Sequence, residues 1–228
     1  MVRPGARCSA KKNPMRLYLA GINHNDPLGR DSIYHWLKGI KEATPPAFVA
    51  VEWGEQVFKL LEANRLRLRI ELGVRFPDVE SDVIQTLADA LAYEGDSHKG
   101  MYPDADVIWL DSARVCIDKG KQLTNEEIAE KTVRGRRSVM ELWLSNRSRF
   151  DSSESFLDQT SCEAWASAAT TEASKRDKDF ADLILSRAKE GGWGIVITGE
   201  EHTQDEEGRM RHMLRQKGQD CKSRACPH

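Results

Sequence analysis

Four short apolar runs punctuate the chain: RLYLAG (16–21), AFVAVE (47–52), DVIWLD (106–111) and WGIVITG (193–199). Each is rich in β-branched or aromatic residues, the composition of strands in a sheet covered on both faces. The material between successive runs reads mostly as helix. Strands that alternate with helices pair in parallel, joined by right-handed crossovers. The sequence therefore predicts an α/β fold built on a mostly parallel central sheet.

The helical stretches follow from their stripes and stops. Residues 29–43 lie between the first two runs and end before Pro45-Pro46. Residues 55–64 place Val57, Phe58, Leu60 and Leu61 on one side. RLRLRIELG (65–73) alternates with period two, which periodicity alone assigns to a strand. Its Arg and Leu content, and the helical residues leading into it, favour continuation of the helix. Residues 79–93 carry Val83, Ile84, Leu87 and Leu91 at helical spacing. Thr124 and Glu127 form a T-x-x-E capping box that opens a helix running to about Asn146. RGRR (134–137) falls on that helix and reads as a solvated face. Residues 154–173 and 175–190 are helical, the second stopping at Gly191-Gly192. A last helix follows residue 204.

Length and charge bound the rest. A chain of 228 residues, 39% hydrophobic and 31% charged, can bury a substantial core. The pattern predicts a single domain over 15–218, a loose N-terminal tail over 1–14 with Met15 an alternative start, and a loose C-terminal tail over 219–228. A net charge of −2 disfavours nucleic acid or an anionic membrane as the main partner. No apolar run reaches bilayer length, and no secretory h-region precedes the first run. The five cysteines are scattered and odd in number, which suits a reducing compartment. The expected location is cytoplasmic. CKSRACPH (221–228) could bind metal through Cys221, Cys226 and His228, and reads otherwise as a frayed tail.

In an open parallel sheet, ligands bind beyond the carboxyl ends of the strands. Each of the four runs delivers an ionisable residue there: His24, Glu52, Asp111 and His202. His24 and His202 end the matching segments GINH (21–24) and GEEH (199–202), whose glycines permit a tight strand exit or a close backbone approach. Two histidines with one or two carboxylates suit a divalent metal that keeps positions open for water. The metal would acidify that water and a spare carboxylate would accept its proton. Taken singly, each residue also has an ordinary role: a structural histidine, or an acid at a helix N-terminus. No phosphate-binding glycine loop, nucleophile elbow or H-E-x-x-H helix is present.

The set LYLAGINHNDP, FVAVEWGEQVFKLL, VIWLDSAR, RDKDFADLIL and GIVITGEEH resembles the TraB/GumN/Tiki superfamily, related to the erythromycin esterase and ChaN-like folds. The likeness spans residues 16 to 218. It implies an α/β core with a parallel-leaning sheet, helices on both faces and a helical insertion. It further implies a divalent-metal-dependent hydrolase, most directly a peptidase using Mn, Co or Zn. Carried over by position, His24 and His202 would be metal-site residues, Glu52 a ligand or the general base, and Arg176 a group that steadies an oxyanion or orients Glu52. Asp111 remains in place although LDSAR departs from the family text, and WGEQ departs from it after Glu52. Glu201, in the unusually acidic second motif, could supply a further ligand. The substrate would be a peptide or a small molecule. The wider superfamily also suggests two alternatives: a metal-free esterase with a histidine base, and a module that binds haem or a partner protein.

Overall fold

The computed structural model describes residues 13–22, 30–92, 101–112, 117–118, 120–146 and 176–225. Five strands form one sheet: β1 (Arg16–Ile22), β2 (Val49–Val51), β3 (Val107–Trp109), β6 (Trp193–Gly199) and β7 (Asp220–Ala225). Their spatial order is β3-β2-β6-β1-β7, and every neighbouring pair is parallel. A separate two-stranded ribbon pairs β4 (Ile117–Asp118) with β5 (Lys121–Gln122).

Alternation along the strands builds the two cores that sandwich this sheet. Leu17 and Leu19 of β1, Ala50 of β2 and Val196 of β6 face one way. They pack against Phe180, Ala181 and Ile184 of a helix over 176–187, here α5, and against Met210 and Leu214 of α6 (Met210–Gln216). Tyr18, Ala20 and Ile22 of β1, with Val49, Val51, Ile195 and Ile197, face the other way. They bury Ile33 and Leu37 of α1 (Arg30–Lys38). A parallel sheet covered on both faces is the arrangement that continuous apolar runs require.

A third core stands apart. It joins α2 (Glu55–Arg75), α3 (Ser81–Asp89) and α4 (Asn125–Asn146) through Leu61, Leu68, Leu72, Leu87, Met140 and Leu144. RLRLRIELG is helical, as its composition favoured, and belongs wholly to α2. The capping box forms in both directions: the Glu127 N–H donates to Thr124 Oγ1 at 3.2 Å, and the Thr124 N–H to Glu127 Oε2 at 2.9 Å. RGRR is not simply solvated. Arg136 donates to the carbonyls of Ala90 and Leu91, and Arg137 reaches Glu71 and Glu141, tying α4 to its neighbours.

The C-terminal segment departs from expectation. Residues 220–225, read as part of a loose tail, supply the edge strand β7, which pairs with β1 along its length. DCKSRA lacks an apolar run because only one face of this strand is even partly covered. Its half-buried Cys221 and Ser223 alternate with exposed Lys222 and Arg224. Cys226, His228 and the helix expected over 154–173 lie outside the described residues. Among the described residues, no helix is long and apolar enough to cross a membrane.

Candidate functional site

Strand order picks out one place on the rim. From β2 the chain moves outward to β3, whereas from β6 it moves the opposite way, past β1 to β7. β2 and β6 are neighbours whose onward connections diverge. Such a switch point opens a crevice at the carboxyl ends of the two strands.

Glu52 follows directly on β2, and its backbone is locked on both sides. Its N–H donates to Ile197 O at 3.1 Å, and its carbonyl accepts from the Asp111 N–H at 3.1 Å. The carboxylate reaches across the switch point, where Oε2 accepts the Gly199 N–H at 2.5 Å. Asp111 arrives just beyond β3, and Arg176 at the start of the described part of α5. Arg176 Nη1 donates to Glu52 Oε1 and to Asp111 Oδ2, both at 2.9 Å. Its guanidinium also lies 5.4 Å from the centre of the Phe180 ring.

His202 sits in a 3₁₀ turn (Glu200–Thr203) that continues from β6, and only 1% of it is exposed. Its Nδ1 lies 2.9 Å from Asp177 Oδ1, and its Nε2 lies 3.8 Å from Glu52 Oε1. The Phe180 ring packs beside the imidazole, with 5.0 Å between centroids. Asp177 is fully buried. Its Oδ1 also accepts the Met210 N–H at 2.9 Å, satisfying an orphan donor at the start of α6, and its Oδ2 faces Arg209 Nη1 at 3.5 Å. The result is a line of alternating charge: Asp111, Arg176, Glu52, His202, Asp177, Arg209.

Burial alone would lower the His202 pKa. The hydrogen bond to Asp177, then the hydrogen bond to Glu52 and its charge, outweigh it and raise the pKa to about 9. At neutral pH the ring is therefore an imidazolium set between two carboxylates.

Of the expected site residues, the fold gathers Glu52, Asp111, Arg176 and His202 into one cluster. Glu201 lies in the same turn as His202 but forms no hydrogen bond or ion pair with another described residue. His24 lies outside the described residues. The two G-x-x-H segments nonetheless begin side by side, since Gly21 pairs with Thr198 and Ile22 with Gly199. A Cβ on Gly21 would stand 2.6 Å from Thr203 Oγ1 and 2.9 Å from Glu200 Cα, so the first glycine is packed against the turn of the second motif. That contact gives the glycine of GINH its physical reason.

Sequence reasoning missed Asp177 and Arg209. A signal for Asp177 was present: it stands at the head of a helical stripe that continues through Phe180, Ala181 and Ile184, and an acid on an apolar stripe needs a buried partner.

The cation site implied by the resemblance includes His24, which lies outside the described residues. No group of three or more His, Cys, Asp or Glu side chains among them could hold a metal ion. The guanidinium of Arg176 already bridges the two carboxylates that would be the nearest oxygen donors. A cleft of about 130 Å³ opens beside the cluster, lined by Trp53, Gly54, Gln56, Asp111, Ser112 and Ile128. No protein-family model, curated protein or solved structure matches this chain.

Proposed function

We propose that the chain is a hydrolase that adds water across an acyl bond at the rim between β2 and β6. The observation that carries this reading is the imidazolium–carboxylate pair, His202 Nε2 to Glu52 Oε1 at 3.8 Å, with each partner oriented from behind. Hydrolysis needs a base for water, an acid for the leaving group and positive charge for the oxygen that becomes anionic. Glu52 accepts a proton from water as the water oxygen bonds to the acyl carbon. Arg176, whose side chain is 18% exposed against 9% for Glu52, offers its charge to the developing oxyanion while Asp111 holds the guanidinium in place. His202 gives its proton to the departing nitrogen or oxygen as the old bond breaks. Transfer of the Glu52 proton to the now neutral imidazole restores the starting state. Asp177 fixes the ring so that Nε2 faces Glu52.

The likeness of the motifs to the TraB/GumN/Tiki superfamily, and through it to erythromycin esterase, supports the same class of chemistry on a peptide or small ester. The metal-dependent form of that reading would recruit His24 and require Arg176 to release Glu52.

Assays of chelator-dialysed protein on chromogenic esters and fluorogenic peptides test the proposal, with Glu52→Gln and His202→Gln alongside. Turnover is expected to survive chelation and to fall about 10²-fold or more in either variant, the range for loss of acid–base catalysis, with far-UV circular dichroism retained. Turnover lost on chelation and restored by Mn, Co or Zn would replace this mechanism with the metal-dependent one. Variants as active as wild type would overturn the hydrolase reading.

A further inference from the structure

Beside the bridge from Asp111 to Arg176, the starts of two helices leave a small cleft. Trp53 follows Glu52 along the chain, and Val57 and Ile128 stand near the starts of α2 and α4. These three side chains give the cleft, about 130 Å³ in volume, its apolar walls. The walls are held in place. Val57 is buried. The Arg136 guanidinium lies 5.1 Å from the centre of the Trp53 ring, and it also donates to the carbonyls of Ala90 and Leu91. Gly54 joins the cleft to the reacting rim. A Cβ there would stand 3.3 Å from the Asp111 carbonyl oxygen, so the start of α2 lies against the backbone that carries the Asp111 carboxylate. One residue thus lines the cleft and holds Arg176.

We propose that this cleft is a specificity subsite, which takes one compact, uncharged aliphatic group on the acyl side of the bond to be cleaved. The inference rests on the reading of the rim as a hydrolytic centre and names the substrates that centre accepts. Position selects the acyl side. The line of charge runs from Asp111 to His202, and His202 serves the leaving group, so the cleft at the Asp111 end faces the other half of the substrate. Charge selects an uncharged group. The two acids of the lining already hold cations, Glu55 with Lys59 at 2.7 Å and Asp111 with Arg176 at 2.9 Å. Among the described residues, no lysine, arginine or histidine lines the cleft to receive a carboxylate. An ammonium group would compete with Lys59 and Arg176 and face the positive ends of α2 and α4. Size selects a compact group. At the ~30 Å³ that a water-sized group occupies in a liquid, the cleft holds about four non-hydrogen atoms, and it is smaller than the ~150 Å³ cavity that encloses a benzene ring. A valine or leucine side chain matches that space, and a phenylalanine side chain exceeds it.

The test compares the N-acetylated p-nitrophenyl esters of glycine, leucine, phenylalanine, lysine and glutamate on the full chain. The leucine ester is expected to exceed each of the others in kcat/KM by about tenfold or more, the range an apolar pocket yields. Ile128→Phe, and Asn125→Phe on the exposed rim, narrow the cleft and should each lower the leucine-to-glycine ratio by a similar factor. Ile128→Ala widens it and should bring the phenylalanine ester level with the leucine ester. A wild-type leucine-to-glycine ratio near one, a faster phenylalanine, lysine or glutamate ester, or narrowed variants with an unchanged ratio would overturn the subsite and leave the hydrolase reading standing. Binding without turnover separates the two. N-acetyl-leucinamide should shift the Trp53 indole N–H signal in NMR spectra of the wild type, and N-acetyl-glycinamide should not. That shift with no turnover of any ester keeps the subsite and removes the hydrolase, whereas no shift removes the subsite.

Discussion

Asp177→Asn separates charge from shape at the centre of the site. Asp177 Oδ1 accepts both the Met210 N–H and His202 Nδ1, each at 2.9 Å. An asparagine carbonyl at that position can accept both, so volume and bonding at Oδ1 survive. What changes is the other oxygen, replaced by an amide NH₂ facing Arg209, and the loss of the negative charge between two buried cations. Breaking a buried pair by neutralising one partner costs about 3–5 kcal/mol. The His202 share can be worked out separately. A pKa raised from the ordinary 6.5 to about 9 corresponds to about 3 kcal/mol of stability. Because the folded value is the higher one, that stability is fully present below pH 6.5 and is lost as pH rises through 9. The hydrogen bond to Asp177 is the largest of the influences that raise it. The substitution therefore lowers the His202 pKa, and its destabilisation is expected to be greatest near pH 6 and to shrink toward pH 9.5.

Denaturant unfolding of wild type and Asp177→Asn at half-unit steps over that range measures the effect, with the His202 ring followed by NMR in the same buffers. His202→Gln provides the control, since its stability should lack the decline between pH 6.5 and 9. A destabilisation by Asp177→Asn that stays constant across the range, or a wild-type His202 that titrates near 6.5, would refute the account of the charge line.

Gly21→Ala should destabilise by about 1–3 kcal/mol through overpacking, because the new methyl meets the Glu200 backbone as well as the Thr203 hydroxyl; thermal unfolding measures it. Gly135→Ala, in α4 with nothing within 4 Å of the added carbon, should instead stabilise by about 1 kcal/mol from helix propensity alone, read by the same melt. Thr124→Ala removes one arm of the capping box and should lower stability by about 1 kcal/mol without altering any property of His202, checked by denaturant unfolding and by its unchanged NMR titration.

The parts of this molecule that were legible in the sequence are those where local pattern and tertiary role agree. β1, β2, β3 and β6 read as strands because cover on both faces makes the run itself apolar, and Glu52, Asp111 and His202 read as site candidates because they stand at or just past the ends of those runs. β7 was illegible because its pairing with β1 is a property of the partner strand, which supplies the apolar side that DCKSRA lacks. Asp177 and Arg209 were hidden by charged neighbours: in KRDKDF and in DEEGRMR the acids and bases look alike in one dimension. Only the aim of α5 at the rim and the start of α6 beside it separate the buried ones from the solvated ones.

The run RLRLRIELG shows the same limit from the other side. Two-residue alternation favours a strand on its own, and a helix only when propensity and the preceding turns are weighed. Once the segment is helical, the alternation acquires a second meaning, because Leu68 and Leu72 satisfy one core while Leu66, Ile70 and Val74 are directed outward. A sequence selected only for the inward face would carry polar residues at 66, 70 and 74. The inward core made by the described residues therefore does not account for the apolar character of those three positions, each of which is more than half exposed.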